Sequence, residues 1–322
     1  MRGGATVDAQ ARPPVVVLTG IGLTAAVGLR LVDALQAHFE VIAAPVTGRA
    51  GDRRAGGRRD AASATDRGRD GRTDSRAGGR RDTAPATERG RDRRTDRRAG
   101  GLAVTTADDV LALLDGAGVD EAHVVGLSFG GVIGQEIAIR YPRRVRSLVL
   151  GSSSAGGRLY VPPSRAIREF VRRLSDVPAE EGLWAAVPYL YAETTYRRHA
   201  PRIGEDIALR LRASLDPRRY RRQYAIARAH DTGGRLGQIT APTLVIHGEE
   251  DRLLPVDNGR LLAGAIGGAQ LLTLPGGAHA FPTDVPDANL PIINFFRVHS
   301  QWPAATAPRG PAGTRKPRAT RA

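Results

Sequence analysis

From Gly51 to Gly101 the chain contains no Val, Ile, Leu, Met or aromatic residue, and this stretch divides everything that can fold into two blocks. Residues 54–75 read RAGGRRDAASATDRGRDGRTDS and residues 76–97 read RAGGRRDTAPATERGRDRRTDR, a tandem repeat of 22 residues identical at 17 positions. A third copy opens at Arg98 and stops after Gly101. Solenoid repeats of similar period bring apolar residues to stack on the next copy, and these bring none. With no apolar surface to bury, residues 51–101 cannot offset their ordering entropy and are expected to be disordered. A core must therefore form from the flanking blocks, across an excursion whose closure penalty grows only logarithmically with its length.

The repeat also locates the charge. The 322-residue chain carries a formal net charge of +15, which by itself suggests a nucleic-acid or membrane-surface partner. Residues 51–101 hold 16 arginines against 9 acids, a net of +7; residues 301–322 hold five basic residues and no acid, which leaves +3 for the rest. Interspersed acids and missing aromatics weigh against an arginine-rich RNA- or DNA-binding arm, so no nucleic-acid partner is expected. A duplicated and tolerated loop is the simpler account, and residues 301–322 read as a disordered basic tail. There is no cysteine, which excludes disulfide scaffolds, thiolate metal sites and cysteine nucleophiles. No run of about 18 apolar residues occurs, so no membrane span is expected. Val15–Leu29 comes nearest to a signal-peptide core, but Pro13, Pro14, Thr19, Gly20 and Gly22 fit that role poorly. A cytoplasmic location is the expectation.

Outside the repeat, strands alternate with helices. Val15–Leu18 (VVVL) reads as a strand buried on both faces, and Phe39–Ala44 (FEVIAA) as a second. Ala122–Leu127, Val145–Leu150, Thr243–His247 and Gln270–Leu274 supply four more. Leu29–His38, Thr106–Gly116, Gly130–Tyr141 and Asn289–Phe296 have helical spacing or helix punctuation. This pattern predicts a mainly parallel, doubly wound α/β sheet, with active groups at the carboxyl ends of its strands. Residues 155–235 break the alternation, being helical and rich in aromatics, and read as an inserted helical cap. The chain thus divides into core at 1–50, repeats at 51–101, core with the key turn at 102–154, cap at 155–235, core at 236–300 and tail at 301–322.

Three loops carry chemistry. Gly126-Leu127-Ser128-Phe129-Gly130-Gly131 follows a strand and opens a helix, the setting in which G-x-S-x-G forms a sharp turn that pushes a serine hydroxyl outward. Gly248-Glu249-Glu250-Asp251 follows the strand TLVIH, and Gly276-Gly277-Ala278-His279 follows the strand QLLTL. On these residues the chain resembles the α/β-hydrolase-fold superfamily, in particular serine hydrolases of the carboxylesterase, 3-oxoadipate enol-lactonase and cofactor-free haloperoxidase-like group. The likeness runs through residues 13–48 and 102–298.

The resemblance implies Ser128 as nucleophile, Asp251 as orienting acid and His279 as general base. His38, His123, His199, His230, His247 and His299 are read as bystanders. The oxyanion hole implied is the backbone N–H of Phe129 with that of Ile21. Thr19-Gly20 replaces the family's usual His-Gly there. The family's opening antiparallel hairpin is expected to be short or missing, and Pro45–Arg49 replaces its Asp-x-x-Gly-x-Gly loop. Trp184 and Tyr191 are candidates to line a substrate pocket, or else form part of the cap's own core. The expected activity is hydrolysis of a small carboxylic ester or lactone through an acyl-enzyme, with no cofactor and no metal. The rival is a non-catalytic or other-chemistry protein of the same fold with an arginine-rich nucleic-acid-binding arm. The oligomeric state is not encoded in any motif.

Overall fold

The computed structural model describes residues 12–21, 25–44, 107–212 and 217–300. The expected disorder of the repeats and tail, the opening hairpin and the Pro45–Arg49 loop all lie outside the described residues. Six strands form one sheet: β1 (Pro14–Leu18), β2 (Glu40–Ala44), β3 (Ala122–Leu127), β4 (Val145–Gly151), β5 (Thr243–Gly248) and β6 (Gln270–Leu274). Their order is β2-β1-β3-β4-β5-β6, and every neighbouring pair is parallel. This is the expected α/β fold.

Strand periodicity sends alternate side chains into two separate cores. Val15 and Val17 of β1 pack with Leu31 and Leu35 of α1 (Ala25–Gln36) and with Ile292 and Phe296 of α11 (Asn289–Ser300). Val16 and Leu18 face the other way. They join Val110 and Leu114 of α2 (described over 107–116), Ile133 and Ile137 of α3 (Phe129–Arg140) and Leu262 of α9 (Asp257–Ala265). Each such Val or Leu gains roughly 1.5–3 kcal/mol by leaving water, so β1 cannot slip by one residue without losing both faces. Helix α3 lies so close on the sheet that its residues from Phe129 to Ala138 are all buried.

Five helices intervene between β4 and β5: α4 (Arg165–Arg173), α5 (Ala179–Leu190), α6 (Glu193–Arg198), α7 (Ala200–Arg212) and α8 (Pro217–Ala229). Helices α5 and α7 form a cluster of Leu183, Leu190, Tyr191, Ile203 and Ile207, which closes on Ala280 of the core, while Ile226 of α8 packs into the core with Val16 and Leu18. The chain leaves and returns side by side, with the Thr232 N–H donating to the Ala155 carbonyl at 2.9 Å. Gln135 of α3 holds both passes. Its amide donates to the Ser154 carbonyl at 3.1 Å and accepts from Thr232 Oγ1 at 2.6 Å. On the far side, Asp284 at the end of α10 (Phe281–Asp284) accepts from the Ala192 and Ala278 N–H groups at 3.1 and 2.8 Å. The near-neutral body hides a charge separation. Residues 155–235 carry 16 arginines against 9 acids, a net of +7, so the remaining core is at −4.

Two buried histidines set the acid stability. His123 lies between Ser147 Oγ at 2.8 Å and Ser300 Oγ at 2.9 Å and stacks on Phe296. Burial first, then the charges of Arg146 and His299, lower its pKa to about 3. Burial likewise lowers His230 to about 4, against the pull of Glu136. Both are neutral in the fold and would protonate below about pH 6.5 once unfolded. Because the folded values lie below the unfolded one, their contribution is intact above about pH 6.5 and is lost as pH falls toward 4 and then 3. Asp284, raised to about 6 mainly by burial, works in the opposite direction between pH 6 and 4. From pH 7 to pH 5 the histidines should cost about 4 kcal/mol and Asp284 return about 1. Urea midpoints at the two pH values should therefore fall on acidification. His123→Leu should lose roughly half of the histidine part; equal pH dependence in variant and parent would mean that His123 takes up its proton in the fold as readily as in the unfolded chain.

Candidate active site

Because all six strands run the same way, the segments after β1, β3, β5 and β6 open along one edge of the sheet. The tight turn after β3 places Ser128 there. Ser128 has φ of 54°, a left-handed value that costs a non-glycine residue about 1–3 kcal/mol. The surroundings hold it. Its N–H donates to the Gly151 carbonyl at 2.8 Å, and its carbonyl accepts from the Gly131 N–H at 3.0 Å and from Ser153 Oγ at 2.9 Å. The flanking glycines are required by close approach. A Cβ on Gly126 would stand 2.4 Å from the Gly130 carbonyl oxygen, and one on Gly130 would stand 2.0 Å from that of Leu18.

Asp251 comes from the turn after β5 and His279 from the loop after β6, and both are buried. Asp251 Oδ1 accepts from the Leu253 and Leu254 N–H groups at 2.9 and 2.8 Å, which leaves Oδ2 to face His279 Nδ1 at 2.8 Å. A carboxylate can only accept, so Nδ1 carries the ring proton and Nε2 presents a lone pair. That Nε2 lies 3.0 Å from Ser128 Oγ. Burial would raise the Asp251 pKa, but His279 and His247 beside it outweigh burial and hold the carboxyl below its ordinary range. The His279 loop is fixed on both sides, by Asp284 at Ala278 and by the Leu190 carbonyl, which accepts from the Ala280 N–H at 2.7 Å.

The structure thus brings Ser128, Asp251 and His279 together, while Glu249 and Glu250 of the same turn are exposed. Phe129 is the first residue of α3, where backbone N–H groups have no partner within the helix and the helix dipole is positive. Ile21 follows β1, half-buried against the same core. Tyr191 belongs to the core of the helical insertion; it is 2 % exposed, and its hydroxyl donates to Asp206 Oδ2 at 3.1 Å. Trp184 stands 50 % exposed on α5.

Sequence reasoning missed three groups. His247, the fifth residue of β5, is buried with its Nε2 3.3 Å from Asp251 Oδ2. Its position four residues before the acid was a signal that went unused. Ser153 supports the Ser128 turn from 25 residues away and Asp284 supports the His279 loop from six residues beyond Ala278, and no local pattern marks either one. Among the described residues, no group of three or more His, Cys, Asp or Glu could hold a metal ion, and no helix is long and apolar enough to cross a membrane.

Such an arrangement can pass the Ser128 proton to His279 while Asp251 steadies the imidazolium. Comparison with known proteins gives the family. A family model described as alpha/beta hydrolase fold matches residues 13–284. A protein of Variovorax paradoxus named "Putative carbamate hydrolase RutD" is 31% identical over 194 residues, covering 59% of this chain and 71% of its own. A 2-hydroxy-6-oxononadienedioate/2-hydroxy-6-oxononatrienedioate hydrolase of Cupriavidus pinatubonensis is 33% identical over 208 residues, covering 61% and 62%. The crystal structure of the enol-lactonase from Burkholderia xenovorans superposes with a TM-score of 0.63 at 20% identity, covering 91% of this chain and 94% of that one. At that identity the superposition speaks for the fold alone.

Proposed function

The chain belongs to the α/β-hydrolase fold family, and from that premise we propose that it is a serine hydrolase that cleaves a carboxylic ester or lactone. The observation that carries this reading is the continuous hydrogen-bonded path from Ser128 Oγ through His279 to Asp251, assembled from three loops far apart in sequence. His279 Nε2 takes the proton as Ser128 Oγ attacks the carbonyl carbon. The oxyanion is held by the N–H groups of Phe129 and Ile21, which together supply a few kcal/mol to the transition state. His279 returns its proton to the departing alkoxide, which leaves an acyl-enzyme. A water molecule, deprotonated by His279, then attacks the acyl carbon and releases Ser128. The scheme needs no metal or organic cofactor.

Charge narrows the substrate. The helical insertion that covers the His279 loop is at +7. A net positive cover favours a substrate that carries an anion. The named substrate of the Cupriavidus relative is a dioate, which fits. Trp184 remains available to an acyl or alcohol group from its exposed place on α5, whereas Tyr191 shapes the site through its packing.

The test is a panel of p-nitrophenyl esters of increasing acyl length, several lactones, a carbamate and monoesters of dicarboxylic acids. Monoesters should show higher kcat/KM than neutral esters of equal length, with an advantage that shrinks as salt rises. Turnover of the carbamate with no ester or lactone hydrolysed would replace the reading with amide-type chemistry. No preference for the monoester would remove the anionic substrate.

A further inference from the structure

We propose that His247 is a positioning residue that holds the carboxylate of Asp251 in line with His279. The inference rests on reading Asp251 as the acid of a catalytic triad and assigns a role to a second histidine beside it.

Three features of the local geometry carry it. His247 is fully buried, and its Nε2 lies 2.8 Å from the Leu254 carbonyl oxygen. A carbonyl only accepts, so Nε2 carries the ring proton and the tautomer is fixed. Leu254 is therefore gripped from both sides, its N–H donating to Asp251 Oδ1 at 2.8 Å and its carbonyl accepting from His247. The turn from Asp251 to Leu254 cannot rotate without breaking one of these bonds. The same Nε2 lies 3.3 Å from Oδ2, the oxygen that faces His279, and places positive hydrogen density beside it.

The other ring nitrogen faces away from the acid. Nδ1 is buried with no hydrogen-bond partner, pressed against α9 where a Cβ on Gly259 would come within 2.7 Å of it. His247 thus aims its Nε2–H at the acid's turn and offers no lone pair to Asp251. Gly259 keeps that seat open.

Three variants test this. His247→Leu should lower kcat about ten- to a hundredfold with KM little changed, the scale on which loss of a supporting hydrogen bond usually acts. His247→Gln, which can place its amide N–H near the Nε2 position, should recover most of that loss. Gly259→Ala leaves His247 chemically intact but pushes on its ring. It should lower kcat in the same direction, with a sub-additive effect in the His247→Leu background.

The deciding readout is the far-downfield proton resonance of the His279–Asp251 hydrogen bond, recorded on the resting protein without substrate. It should be sharp in the parent and in His247→Gln, and shifted or broadened in His247→Leu. An unshifted resonance in a folded His247→Leu protein would overturn the proposal, as would a Gln variant no better than Leu at equal melting temperature. Because the resonance needs no substrate, a parent protein inactive on every ester would sink the esterase reading while the resonance still decided the role of His247.

Discussion

Ser128→Ala is expected to abolish ester hydrolysis, by about 10⁴-fold or more in kcat, while the melting temperature changes by no more than a few degrees. The size follows from chemistry: without Oγ there is no nucleophile to form the acyl-enzyme, and only oxyanion stabilisation and substrate binding remain. The small effect on stability follows from the structure. The bonds that hold the turn use the backbone of residue 128, to Gly151, Gly131 and Ser153, whereas its hydroxyl is bonded to His279. A fluorophosphonate should label the parent and spare the variant. Substantial labelling of Ser128→Ala, or full activity in it, would remove the serine from the mechanism.

Asp251→Asn should be nearly as severe, about 10⁴-fold in kcat with KM and stability close to the parent. The backbone donors of Leu253 and Leu254 hold the Oδ1 side, so an asparagine would place its carbonyl there and turn its NH₂ toward His279 Nδ1. Two donors then face each other. His279 can relieve the conflict only by moving its proton to Nε2, and in that tautomer it cannot accept from Ser128. Glu250→Gln, one residue earlier on the exposed side of the turn, should be almost silent. Steady-state kinetics on one p-nitrophenyl ester separates the two. A silent Asp251→Asn beside a crippled Glu250→Gln would mean that the acid has been read one residue off.

Most strands were legible because they are buried on both faces and read as continuous apolar runs. Ala122–Leu127, buried along its whole length, falls where the sequence places it, and so does Gln270–Leu274 although its first two residues are exposed. Helix ends were less so. Helix α3 begins at Phe129 rather than Gly130, and α1 begins at Ala25 rather than Leu29. The first turn of α1, AAVG, has no apolar spacing to announce it. Ser128, Asp251 and His279 were legible because each sits in a short pattern directly after a strand, and a parallel sheet puts such segments on one edge.

His247 and Tyr191 show where local pattern stops. A lone histidine in a strand is more often packing than chemistry, and only the return of the Leu254 peptide and of Oδ2 to its Nε2 sets it apart from the other five bystanders. An aromatic in a helical insertion reads equally well as pocket or core, and the Asp206 bond assigns Tyr191 to the core.

By itself, then, the sequence determined the fold class and the three residues that meet at the strand ends. Strand burial and tight turns are local properties, written in consecutive residues. Only the tertiary structure decided which side chains support those three. Ser153, Asp284, His247 and Gly259 act across 25, 6, 4 and 12 residues of chain. Contacts of that kind exist only once strands, turns and helices have packed and each buried polar atom has found, or failed to find, its partner.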